Sequence, residues 1–242
     1  MALRYDPSIH TAPDKPRRIR RMFGAIADRY DRMNRIMTLG LDQRWRRRTL
    51  DLLGLPPEAR VLDVGTGTGD FLVLRGEAGP GTTVGLDLTL EMMEAGRKKV
   101  SPYAPRAAFC GGDALRLPFP DGSFDGIVTG FTLRNVADLE GALREMARVT
   151  RPGGRIACLE VARPPWPLLR LGHRLYFRYG VPLLGALLAR APGAYTYLPR
   201  SAERFPEPPE LARIFERAGW RRVRWVLLSL GTVAVHVGER AG

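Results

Sequence analysis

Three glycines at alternate positions, Gly65, Gly67 and Gly69, follow a short apolar run, Val61, Leu62 and Val64, that carries one acid, Asp63. The β-branched run reads as a buried parallel strand. From Phe71 onward the chain can start a helix. Glycines between a strand and a helix let the backbone approach a ligand closely, and the helix aims unpaired N–H groups at it. That is the chemistry of a nucleotide-type site at the carboxyl end of a strand. The spacing narrows it further. A dinucleotide fingerprint needs G-x-G-x-x-G, and a P-loop needs Gly-Lys-Ser/Thr. Here Asp70 stands next, so neither pattern is met.

Further landmarks follow in order. Residues 82–88 read as a second strand ending in Asp87 and Leu88, with the acid eighteen residues beyond Gly69. A carboxylate there can accept hydrogen bonds from both ribose hydroxyls. A third strand, 107–110, leads to Asp113 and Ala114, where a carboxylate can take an adenine amino group. Residues 126–130 and 155–161 supply a fourth and a fifth strand, with 151–154 as the tight turn into the last. G-x-G-x-G after an acidic strand residue resembles motif I of the class I S-adenosylmethionine-dependent methyltransferases. The resemblance implies an α/β fold, a Rossmann-like sheet of seven strands, with S-adenosyl-L-methionine as cofactor. Asp63, Gly65, Gly67, Thr68 and Gly69 would then serve its methionyl part, Asp87 and Leu88 the ribose, and Asp113 and Ala114 the adenine.

The elements that must hold these residues can be read around them. Ile19, Met22, Phe23 and Ile26 are spaced for one face of a helix over about 16–28, behind a loose arm at 1–16. Thr89 reads as a helix cap, with Glu91 and Glu94 near the positive end and Arg97, Lys98 and Lys99 near the negative end. Residues 138–149 form a second amphipathic pattern. The helix after the glycines reads as weak, because Gly76 interrupts it. Residues 208–218 give the last helix, and 222–229 with 232–238 a closing hairpin in which His236 is a strand residue. The expected layout is one domain over 1–242. Its parts are helices over 17–53, a cofactor-binding core over 59–162, a helical lid insertion over 163–206, and the closing helix and hairpin over 207–242.

Composition bounds the class. The 242 residues are 45% hydrophobic and 26% charged, as in a globular protein that buries its own core. The polar, proline-containing N-terminus carries no signal peptide, and the longest apolar run, 181–189, is far short of a membrane span. Cys110 and Cys158 fall in core strands, which reads as free thiols in a cytoplasmic protein. No cluster of metal ligands stands out. The net charge of +13 rests almost wholly on arginine, concentrated at 17–21 and 44–48. Such runs suit nucleic acid, an anionic membrane surface, or simply a solvated helix face.

A second resemblance covers about 20–238. Tyr30, Asp31, Met33, Asn34, Met37 and Trp45 are similar to a signature of the quinone-biosynthesis C-methyltransferases. Thr38 and Asp42 stand where that family has serine and histidine. Leu133, Arg134, Asn135 and Val136 match a second block, in which Gly130 replaces a serine. Arg148, Val149, Pro152, Gly153, Gly154 and Glu160 match a third, and Tyr195, Tyr197, Leu198, Ser201, Phe205 and Pro206 a fourth. The resemblance implies C-methylation of a demethylated isoprenoid quinol, demethylmenaquinol first and a ubiquinone precursor second. Arg134 would stabilise a developing phenolate, and Asn135 would orient a hydroxyl or water. Tyr30 and Asp31 would close over the sulfonium or assist proton removal, and Gly130 would lose the serine's cofactor contact. The helices over 17–53 and 163–200 would enclose a prenyl tail, and the basic runs would meet the anionic membrane face where such a substrate resides. A methyltransferase for another small lipid or phenolic metabolite is the nearest alternative. An RNA methyltransferase is disfavoured, since no appended RNA-binding domain and no Asn-Pro-Pro-aromatic block are visible. A cofactor-binding protein without catalysis is a third reading. Naphthoquinol versus benzoquinol and a homodimer stay open.

Overall fold

The computed structural model describes residues 15–184 and 192–242. Most of the arm at 1–16, and the later part of the run 181–189, lie outside the described residues.

Seven strands make one sheet: β1 (Val61–Val64), β2 (Thr83–Asp87), β3 (Ala107–Gly111), β4 (Phe124–Gly130), β5 (Thr150–Val161), β6 (Trp220–Leu228) and β7 (Val233–Arg240). Their order is β3-β2-β1-β4-β5-β7-β6. The first five run parallel, and β7 pairs antiparallel with both β5 and β6. All four residues of β1 are buried, as a central parallel strand covered on both faces requires. The chain steps outward from β1 to β3 and then returns on the other side as β4. Carboxyl ends of neighbouring strands thus part at β1 and β4, opening the crevice in which ligands of such sheets bind.

Helices α4 (Asp70–Ala78), α5 (Leu90–Val100), α6 (Leu139–Val149) and α10 (Pro208–Arg217) cover the sheet. Over its carboxyl edge lie α1 (Lys15–Gly24), α2 (Ala27–Met37) and α3 (Leu41–Leu53) from the N-terminal side. The insertion contributes α7 (Pro167–Leu175), a π-helical turn (Tyr176–Gly180), α8 (Val181–Leu184) and α9 (Pro192–Arg204). Ile19, Met22, Ile26, Met33, Val181 and Tyr197 form a small core joining the two sets.

Four local expectations change. The single helix over 16–28 is two helices broken at Gly24, so that Ile19, Met22 and Met33 all turn into that shared core. Residues 151–154 are a bulge inside β5 rather than a turn before it. The register jumps from Phe124–Thr150 to Gly126–Arg155, with Gly153 at φ 73°. Thr89 stands at the N-cap of α5 without a capping bond, because its hydroxyl turns to Asp87. Gly76 does not weaken α4; it lets Tyr103 pack against the helix, where a Cβ would sit 2.5 Å from the ring.

Candidate active site

The glycine loop is shaped by its neighbours as much as by its own sequence. Gly65 sits at φ 73°, and a Cβ on it would lie 2.2 Å from the Thr132 side chain, whose Oγ1 donates to the Gly65 carbonyl at 3.2 Å. From the other side α5 presses Gly96 against the loop, where a Cβ would come within 2.0 Å of the Thr68 carbonyl oxygen. The backbone of the loop is therefore held from two directions. Asp87 completes the hold: its Oδ2 accepts from Gly67 N–H and its Oδ1 from Thr89 N–H, each at 2.8 Å.

A cavity of about 120 Å³ follows from this arrangement. Gly65, Gly67, Asp87, Leu88, Asp113, Ala114 and Gly130 line it, and Ile19, Phe23 and Tyr30 close it from above. The Asp113 carboxylate is held by the Leu115 N–H at 2.9 Å. Asp63, Thr68 and Gly69 lie behind these residues instead of on the wall. Asp63 is buried, and its Oδ2 accepts from the Thr66 hydroxyl at 2.6 Å, while Oδ1 has no partner. Burial, with the charges of Asp87 and Asp70 nearby, pushes the Asp63 carboxyl up to about 7 against the pull of Thr66 and Arg46. Burial raises Asp87 as well, against its backbone hydrogen bonds. A cationic ligand would relieve both strains, and hydroxyl and amino donors would meet Asp87 and Asp113. S-adenosylmethionine carries a sulfonium, an ammonium, a ribose and an adenine, and it fits this donor set.

Beside it lies a second cavity of about 660 Å³, walled by side chains of α1, α2, α3 and the insertion. Met22, Ile26, Ile36, Met37, Leu41, Trp45, Tyr176 and Val181 make it mainly apolar, and among its described lining Asp42 is the one carboxylate. Phe23, Tyr30 and Phe131 belong to both cavities and so mark where they meet. Arg134 also lines this second cavity, but it is not a bare charge. Its Nη1 donates to Glu160 Oε2 at 2.8 Å, its Nε is buried without a partner, and its guanidinium lies 5.5 Å from the Phe131 ring centroid.

Asn135 lies between the cavities with its amide engaged on both sides. Its Nδ2 donates to the Phe131 carbonyl at 3.2 Å, and its Oδ1 accepts from the Tyr197 hydroxyl at 3.0 Å. Asp31 faces neither cavity. Its carboxylate accepts from the Thr68 hydroxyl and from Lys99 Nζ, both at 2.6 Å, and Lys99 also reaches Asp70 at 2.7 Å. The helix bearing Tyr30 is thus pinned to the glycine loop. Although burial pushes the Asp70 carboxyl up, Arg46 and Lys99 hold it below its ordinary value. Gly130 has no room for a serine, since a Cβ there would be 2.9 Å from Phe71 and 3.1 Å from Arg46. Burial drives His236 down to about 4, a neutral ring in a strand. Phe131, Lys99, Arg46 and Glu160 were not read as site residues from sequence. Phe131 had a visible signal, since it sits inside the block that carries Arg134 and Asn135. Lys99 had a misleading one, as an ordinary basic helix end.

Residues 12–240 match the ubiE/COQ5 methyltransferase family. The chain is 55% identical to the demethylmenaquinone methyltransferase of Roseiflexus castenholzii over 232 residues, covering 95% of this chain and 97% of that one. To the demethylmenaquinone methyltransferase of Thermus thermophilus it is 44% identical over 220 residues, covering 90% and 100%. Among solved structures, a possible histamine N-methyltransferase from Thermotoga maritima, described as S-adenosylmethionine-dependent, superposes with a TM-score of 0.65 at 22% identity. That match covers 90% of this chain and 98% of the other. The putative methyltransferase in complex with the Haloferax volcanii Trm112 activator gives a TM-score of 0.63 at 19% identity, with the same coverage. The structural likenesses show the class I methyltransferase sheet.

Proposed function

This chain belongs to the ubiE/COQ5 methyltransferase family, and on that premise we propose that it C-methylates demethylmenaquinol to menaquinol. It is an S-adenosylmethionine-dependent methyltransferase, and the bound cofactor supplies an electrophilic methyl group. What the chain must add is an aligned, electron-rich ring carbon in a space without water. The observation that carries the acceptor reading is the 660 Å³ apolar cavity meeting the cofactor crevice at Phe23, Tyr30 and Phe131. A naphthoquinol ring with the first part of its prenyl tail matches such a space in size and polarity.

Residue roles follow from the geometry. A quinol ring carbon becomes nucleophilic as its neighbouring hydroxyl loses a proton, and a guanidinium beside that oxygen stabilises the phenolate. Arg134 holds that position, with Glu160 fixing its orientation. Asp42, where the family pattern has histidine, is the carboxylate suited to take the proton. Its oxygens already accept from the Thr38 hydroxyl and the Gln43 amide, both at 3.1 Å. Asn135 sets the Tyr197 and Phe131 walls instead of touching a water. Asp31 holds α2 over the cofactor through Lys99 and Thr68, while Tyr30 closes the sulfonium end. Asp63, Gly65, Gly67, Thr68 and Gly69 hold the methionyl part, Asp87 and Leu88 the ribose, and Asp113 and Ala114 the adenine.

Among the described residues no helix is long and apolar enough to cross a membrane. A lipophilic acceptor therefore has to be met at a bilayer surface, and the net charge of +13 favours an anionic one. The test is methyl transfer from labelled S-adenosylmethionine to reduced demethylmenaquinol with lipid vesicles present. Transfer that stops when the quinone is oxidised supports the reading. Tight cofactor binding without transfer to the quinol overturns the acceptor assignment.

A further inference from the structure

Helix α7 is built as if it had a partner, yet it has none among the described residues. Not one of its residues is buried. Leu168, Leu171 and Leu175 form one stripe at helical spacing, and Leu168 is 80% exposed. Arg170 and Arg174 form the adjoining stripe, which Arg178 extends beyond the helix. Two loop tips flank the helix with further bare leucines. Leu39 is 88% exposed at φ 52°, and Leu230 is 64% exposed at φ 56°. A leucine in the left-handed region is strained as well as solvated, and here both costs fall on residues at the same rim.

The pieces are contiguous. The Tyr176 hydroxyl donates to the Met37 carbonyl at 2.7 Å, tying the end of α7 to the loop of Leu39. The turn of Leu230 packs by Gly231 against Pro164 and Pro165, at the start of α7. Leu39, His173 and Tyr176 also line the large apolar cavity, so the exposed leucines surround its mouth.

Behind the leucine stripe is a cavity of about 380 Å³ between α7 and α9. Arg163, Arg170, Arg174 and Arg178 line it, against Glu203 and Glu207. Arg163 is consumed by Glu207 at 2.8 Å. Arg170 donates its Nε to the Pro164 carbonyl, and Arg178 lies over the Tyr179 ring. Arg174 has no carboxylate partner among the described residues. The cavity thus offers excess guanidinium charge that a phosphate would complement.

We propose that α7 with the loops of Leu39 and Leu230 is a lipid-docking face, seated on an anionic bilayer with a phospholipid phosphate in the arginine-lined cavity. A helix with an apolar stripe beside a basic one is the form that lies in the plane of a membrane interface. The face deepens the quinol reading, because it would set the acceptor cavity's mouth against the lipid. It also shifts the contact away from the 44–48 arginine run, where Arg46 is buried against Asp70.

The test is co-sedimentation of the full chain with vesicles of phosphatidylglycerol and phosphatidylcholine, and with phosphatidylcholine alone, without any quinone. Cofactor affinity serves as the folding control for each variant, so failure here is separable from failure of the acceptor assignment. Leu168→Ser with Leu171→Ser should weaken binding to the anionic vesicles at least tenfold, since each leucine brings several buried CH₂ groups. Arg174→Ser should weaken it by about fivefold and leave the weak binding to phosphatidylcholine unchanged. Unchanged vesicle binding in the leucine variant overturns the proposal. So does calorimetric binding of inorganic phosphate by a chain that ignores vesicles. A doubled mass in light scattering that vanishes in the leucine variant, again without vesicle binding, also overturns it and gives the face to a second copy.

Discussion

The two cavities that meet at Phe131 are built in opposite ways. The cofactor crevice is made of strand ends and backbone: Gly67 and Thr89 give their N–H groups to Asp87, and Gly65 and Gly96 exist to let neighbours approach. Nothing in it can move far without breaking the sheet. The acceptor cavity is walled by side chains of separate helices from the N-terminal segment and the insertion. Its polar groups are few, and they are buried pairs or triads such as Arg134 with Glu160, and Asp42 with Thr38 and Gln43. One region recognises by fixed hydrogen bonds; the other encloses by packing. A charged, hydroxyl-rich ligand needs the first, and a flat ring with a flexible tail needs the second.

That contrast can be broken from either side. The largest effect is expected at the acceptor side from Glu160→Ala, which strands a buried guanidinium. Loss of one partner of a buried pair costs about 3–5 kcal/mol. Urea unfolding should show that loss, and cofactor affinity measured under folding conditions should stay near the wild-type value. A stability loss below about 1 kcal/mol would mean that Arg134 is not held as described. On the cofactor side, Asp87→Ala removes an acceptor for the loop and for the ribose together. With each hydrogen bond to a charged group worth about 1.5–3 kcal/mol, calorimetry should show affinity weakened by at least about a hundredfold. An unaltered dissociation constant would sink the crevice assignment.

The smallest effect sharpens the contrast through pH. Asp63 is pushed up to about 7, and a cationic ligand favours its ionised form. Binding therefore releases a proton at lower pH, so cofactor affinity should rise as pH increases towards 7 and level off above it. The slope should reach up to about tenfold per pH unit, and Asp63→Asn should flatten it. Acceptor affinity should show no such step. The same shift bears on stability. A carboxyl raised above its unfolded value near 3.8 favours the folded state fully below that pH, and this contribution is lost as pH rises through about 7.

Much of the cofactor crevice was legible because its requirements are local. Alternate glycines after a strand, then an acid at the end of each following strand, state their purpose in short stretches of chain. Asp87, Asp113 and Gly130 all line the cavity. Gly96 escaped notice because a helical glycine signals nothing until the Thr68 carbonyl is seen against it. On the acceptor side the block 131–136 was visible, but Arg134's partner lay 26 residues away on another strand. Asp31 read as a catalytic acid near the sulfonium and stands in the structure as a clasp to Lys99 and Thr68. Period and spacing report which face a residue occupies, never which distant charge it meets.

The sequence by itself determined the order of strands and helices, the place of the glycine loop and the acids at strand ends, because hydrophobic period, turn chemistry and motif spacing act between near neighbours. Tertiary structure decided which charges are neutralised, where α1 breaks, why Gly130 admits no side chain, and that the apolar stripe of α7 faces outward. Those outcomes depend on what packs against a residue from far along the chain, and desolvation, ion pairing and steric room exist only once that packing is made.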